Sequence, residues 1–209
     1  SAAAKRHSFN YDPTAAALAV EMCRLHGRLA IHKGEARWLS AAEARRFVDH
    51  CCLVNGAAHG QPGRVLARFH PTVMVCALTY LKRLASMAES AITAEPSSPH
   101  KGGMPPADGA GTLALLSSLL EEDSWQVALL AALVLVTKTY SDFAESLATN
   151  AVLCHDRSGL RRGWPLCTGP KLRRAEHDLL RLLDFRTTVL GDELFKVGPR
   201  CGWGKLAQA

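Results

Sequence analysis

The sequence predicts an all-α protein, and three observations carry that prediction. Apolar residues recur every three or four positions in several separate segments, the spacing that lines one face of a helix. Helix-opening signals stand ahead of these segments at Asp12-Pro13, Ser40 with Glu43, Pro71 and Pro170. A side-chain oxygen or a proline suits those positions because the first backbone N–H groups of a helix lack helical partners. Strand-like alternation competes only weakly, at Thr187 to Leu190.

The first helix follows Asp12-Pro13, with Ala15, Leu18, Met22, Leu25 and Leu29 on one side and Gly34 as its stop. Ser40 and Glu43 form a capping-box pattern ahead of Ala44, Phe47, Val48 and Cys51, which predicts a second helix to about Val54. Asn55 to Gly63 reads as a Gly- and Pro-punctuated connection. Pro71 opens a third helix whose apolar set is Val73, Cys76, Ala77, Tyr80, Leu81 and Leu84. From about Ala94 to Gly111 the chain is rich in Pro, Gly and Ser without periodicity, and reads as a flexible insertion, long for a connection between helices.

After Trp125, the run Val127 to Val136 holds no polar residue. A helix apolar all round is surrounded by other helices, and this run is too short to cross a bilayer, so it is the expected central helix. It turns polar at Thr137-Lys138. Asp142 then reads as the cap of a helix with Phe143, Leu147, Ala151 and Cys154 inward. A second irregular stretch, His155 to Gly169, leads to Pro170 and a last helix with Leu172, Ala175, Leu179, Leu182 and Leu183 on one side.

With 209 residues and 48% hydrophobic residues, one domain can bury about 70% of its unfolded surface without disulfides or metals. An odd count of 7 cysteines, several on apolar helix faces, fits a reducing compartment. No membrane-length run and no leader pattern is present, so the expected location is intracellular, in the nucleus or cytoplasm. The net charge of +6 comes from scattered Lys and Arg apart from one cluster, Arg157 to Arg174; a solvated basic surface explains it more simply than nucleic-acid binding.

No arrangement points to catalysis, a metal or a cofactor. Cys154-His155 with Cys167 lacks the paired C-x-x-C spacing of a zinc site, and Gly102-Gly103 with Gly109 to Gly111 lacks the strand and the Lys-Ser/Thr of a phosphate-binding loop. The nine histidines are dispersed. From the residues alone the reading is a helical interaction module, in which Lys138 caps the central helix and Glu176 pairs with a nearby Lys or Arg.

Three stretches carry a family resemblance. They are His70-Pro71-Thr72-Val73 through Tyr80-Leu81-Lys82-Arg83-Leu84; Leu130-Ala131-Ala132 to Lys138-Thr139-Tyr140-Ser141-Asp142; and Arg174-Ala175-Glu176 with Leu179-Leu180, Leu182 to Phe185 and Val189. In that order they resemble the second, third and fifth helices of a single cyclin box, specifically the P-type or U-type cyclins related to the yeast phosphate-regulating cyclins. Residues 1–36 would be an N-terminal segment with a flanking helix, 37–190 the box with its insertion at about 94–111, and 191–209 a C-terminal tail too short for a second box. The chain departs from the family at Lys82, where an acid usually pairs with the first-helix arginine, here Arg46. The family's early fourth-helix asparagine is also not evident.

The resemblance implies a non-enzymatic regulatory subunit that binds and activates a cyclin-dependent protein kinase. Lys138 and Glu176 would sit together on one surface and hold the kinase's mobile helix; neither cofactor nor small-molecule substrate nor membrane enters. A cyclin-fold nucleic-acid-binding protein and a non-activating kinase scaffold are the alternatives. Ser98-Pro99-His100-Lys101 has the serine, proline, any residue, basic spacing that such kinases modify, which marks Ser98 as a phosphorylation candidate. The same four residues also arise by chance in a Pro- and Ser-rich segment.

Overall fold

The computed structural model describes residues 11–35, 39–55, 65–67, 69, 71–93, 109–120, 124–140 and 167–197. The fold class is all-α: among the described residues there are α1 (Tyr11–Lys33), α2 (Ala41–Cys52), α3 (Pro71–Thr93), α4 (Gly109–Leu120), α5 (Trp125–Tyr140), α6 (Gly169–Leu182) and α7 (Gly191–Val197), with one short antiparallel ribbon of β1 (Leu53–Asn55) and β2 (Val65–Ala67).

Helix α5 is the centre. Every residue from Trp125 to Val136 is buried, and α1, α3, α4 and α6 all pack on it, as an all-round apolar helix demands. Trp125 anchors its start, meeting Phe47 of α2 edge-on with ring centroids 5.1 Å apart.

The flanking helix α1 belongs to the core. It makes the most extensive helix contact of the described residues, on α3, and also packs on α2, with Leu18, Met22 and Leu25 fully buried. Polar ties reinforce this. Tyr11 donates to Asp49 at 2.7 Å, Arg45 bridges Asp49 and Asp12, and Arg28 of α1 donates to the Ala85 carbonyl while pairing with Glu89. Gly34 closes α1 at φ 72°, with Glu35 N–H on Ala30 O and Gly34 N–H on Ile31 O, the Schellman arrangement that glycine adopts without Cβ strain.

Three expectations need correction. Helix α2 stops at Cys52 and not near Val54: Leu53 is already extended, and Leu53 to Asn55 pairs with Val65 to Ala67. β-Branched Val54 ahead of Asn55-Gly56 favours that outcome. The insertion ends sooner than Gly111, because Gly109 opens α4, held by buried Leu116, Leu119 and Leu120; packing of that leucine face overrides two glycines in the first turn. The stretch read as a tail begins with α7, whose Val197 is buried against the core. The remainder of the insertion, 94–108, and the helix expected from Asp142 to Cys154 lie outside the described residues.

Candidate functional site

Two residues 38 positions apart meet at the end of the central helix. The apolar surround of α5 ends at Val136; Thr137 and Thr139 then turn their hydroxyls onto the Leu133 and Leu135 carbonyls, both at 2.8 Å, and Lys138 emerges between them. On α6, Leu172, Ala175, Leu179 and Leu182 point inward, which leaves Glu176 on the flank of that stripe. Lys138 Nζ donates to Glu176 Oε2 at 2.5 Å, with the side chains 35% and 12% exposed. The lysine lies in the last turn of α5, where the helix dipole favours a cation. Thr168 caps α6 by accepting from Lys171 N–H, and Pro170 sits in its first turn.

The segment leaving α6 is tied to the end of α5 through Tyr140. Helix α6 ends in a second Schellman arrangement, Phe185 N–H on Leu180 O and Asp184 N–H on Arg181 O, but without glycine: Asp184 and Phe185 have φ of 51° and 56°. The turn throws Phe185 into solvent, 66% exposed, and Leu190 follows at 63%. Relieving the left-handed penalty at the first of these, Asp184→Gly is expected to raise stability by about 0.5–1 kcal/mol, read as a higher urea midpoint at constant slope.

Side chains of α3 and α7 grip this segment. Arg83 makes a bidentate pair with Glu193, at 3.0 and 2.6 Å, and donates to the Arg186 and Thr188 carbonyls. Tyr80 donates to the Thr187 carbonyl at 2.5 Å; burial pushes its hydroxyl up to about 12, so it stays a neutral donor. Tyr140 accepts from Val189 N–H at 2.6 Å. The bond from Arg83 holds the Glu193 carboxyl below its usual value of 4.5 against the opposing effect of burial. A depressed acid contributes stability above its unfolded pKa and loses it as pH falls through the folded one. The difference in melting temperature between the parent and Glu193→Gln is therefore expected to be full near neutral pH and to be lost progressively as pH falls through the depressed folded value.

Lys138 and Glu176 are thus brought together, while Ser98 lies outside the described residues. Arg46 is exposed, and the charged network of α2 is built on its neighbour Arg45. Arg83, Tyr140, Glu193 and Phe185 were assigned no role from the sequence. No group of side chains that could hold a metal occurs among the described residues. Burial pushes the Cys76 thiol up to about 11 and Cys23 above its usual range, the reverse of what an activated nucleophile requires. No described helix is long and apolar enough to cross a membrane.

Comparison of the chain with protein-family models, with curated proteins and with solved structures returns no significant match.

Proposed function

We propose that this chain is a cyclin-type regulatory subunit that binds and activates a cyclin-dependent protein kinase, with Lys138 and Glu176 at the centre of the docking face and Phe185 exposed beyond the end of α6. One observation supports this most: the two residues that the resemblance assigns to kinase binding are in contact on the surface, at the end of a helix buried from Trp125 to Val136. An ammonium has three donors and a carboxylate several acceptor sites, so the pair keeps capacity for the backbone groups of a partner's helix. The exposed Phe185 adds the aromatic anchor around which interface energy concentrates. An active kinase needs a strand lysine paired with a glutamate on its mobile helix. A subunit that binds only the inward position of that helix activates by shifting its population.

One observation favours a second reading. The solvent side of α6 carries Arg173, Arg174, His177 and Arg181, all exposed, and a basic helix face is what a nucleic-acid binder requires. Calorimetric titration of the chain with purified cyclin-dependent kinases, and with duplex DNA at two salt concentrations, separates the readings. Saturable kinase binding with increased phosphate transfer supports the cyclin, and kinase binding without activation identifies a scaffold. DNA binding that falls steeply with salt, without kinase binding, identifies the alternative.

A further inference from the structure

Between the end of α6 and the start of α7 the chain has no regular structure, yet its backbone is held residue by residue. The carbonyls of Arg186, Thr187 and Thr188 accept from Arg83, Tyr80 and Arg83 in turn. The N–H of Val189 donates to the Tyr140 hydroxyl, and that of Leu190 to Glu193 Oε2 at 3.0 Å. Side chains from α3, α5 and α7 therefore do what a helix or sheet ladder does elsewhere, satisfying backbone groups that would otherwise compete for water.

Two residues at the start of this segment, Asp184 and Phe185, are left-handed without being glycine, a conformation that persists only where the surroundings over-determine it. The outcome is two large apolar side chains, Phe185 and Leu190, held in water. The grip thus fixes where both side chains stand and leaves them available to a partner. Tyr140, two residues beyond Lys138 in the last turn of α5, is itself 47% exposed and grips Val189. Glu193 joins α7 to the same grip, accepting from both Arg83 and Leu190.

We propose that Tyr80, Arg83, Tyr140 and Glu193 are positioning residues that lock segment 184–190 in its presented shape, and that α7 is the latch on which the docking of the kinase depends. This rests on the kinase-binding reading above. It assigns α7, which lies in the stretch 191–209 that the sequence leaves as a tail, a role in partner affinity.

The test uses the full chain and the variants Glu193→Gln and Tyr140→Phe, with Ser40→Ala as a control that weakens a remote helix cap on α2. Amide hydrogen exchange at Val189 and Leu190 reports the segment without any partner, and titration with the kinase reports docking. Loss of a single charge-assisted or backbone-gripping bond is expected to accelerate exchange at these amides about tenfold and to weaken kinase affinity about tenfold. The α5 amides should accelerate no more than the loss of global stability requires, and Ser40→Ala should lower the melting temperature while leaving affinity unchanged. Unchanged exchange in both variants overturns the latch. So does accelerated exchange with parental affinity, or an affinity loss in Ser40→Ala as large as in the two variants. If the parent chain itself binds no kinase, the reading beneath the proposal fails and takes the docking role with it; the exchange data then still report whether the grip exists.

Discussion

Trp125→Ala is expected to destabilise the protein by about 3–5 kcal/mol, the cost of emptying a large buried aromatic site that its neighbours cannot refill. Trp125 is 2% exposed and begins the helix around which α1, α3, α4 and α6 assemble. The lost volume would open directly beneath Phe47, its edge-on neighbour. Set against a total of about 5–15 kcal/mol for a domain, such a loss brings the protein close to unfolding at physiological temperature. Urea denaturation followed by circular dichroism measures it. A change below about 1 kcal/mol would mean that the start of α5 is not core.

The second large effect concerns binding and not folding. Lys138→Ala and Glu176→Ala are each expected to weaken kinase binding by about 2 kcal/mol or more, roughly thirtyfold, as truncation of a central interface anchor does. Their effect on stability should be small and unequal. Lys138 is partly exposed, so the pair's own contribution is that of a screened ion pair, about 1 kcal/mol or less. Removing the lysine leaves the more buried Glu176 carboxylate without its partner, and should therefore cost more stability than removing the glutamate. Parental affinity in both variants, or wholesale unfolding in both, would remove these residues from the docking face.

Much of the fold was legible because the long helices carry their signals locally. The run Val127 to Val136 can only be a surrounded helix. Ser40 caps α2 as its spacing predicts, accepting from Glu43 N–H at 3.1 Å. What escaped depends on partners distant in sequence. Helix α7 is a single short element, and its principal tie, Arg83 to Glu193, spans 110 positions. Helix α4 did carry a signal, Leu113, Leu116 and Leu120 at helical spacing, but Gly109 and Gly111 masked its start.

The site divides in the same way. The polar switch after Val136 and the apolar stripe of α6 locate Lys138 and Glu176 individually at the surface. That they touch is a matter of how α5 and α6 pack, which spacing does not encode. Phe185 shows the opposite failure. It lies three residues beyond Leu182 and would continue the buried stripe if the helix went on. The left-handed turn at Asp184 and Phe185 reverses its direction and exposes it.

The account stands most directly on whether the chain raises the activity of a cyclin-dependent kinase. The decisive measurement is phosphate transfer by the purified monomeric kinase with and without stoichiometric chain. The same titration is repeated with the double variant Lys138→Ala/Glu176→Ala, shown by circular dichroism to be folded. The account predicts that the parent chain binds and raises the rate at least about tenfold, equivalent to about 1.4 kcal/mol of activation free energy, and that the folded double variant does neither. A parent chain that binds none of the cyclin-dependent kinases of its source cell, or a double variant that activates as the parent does, would contradict it.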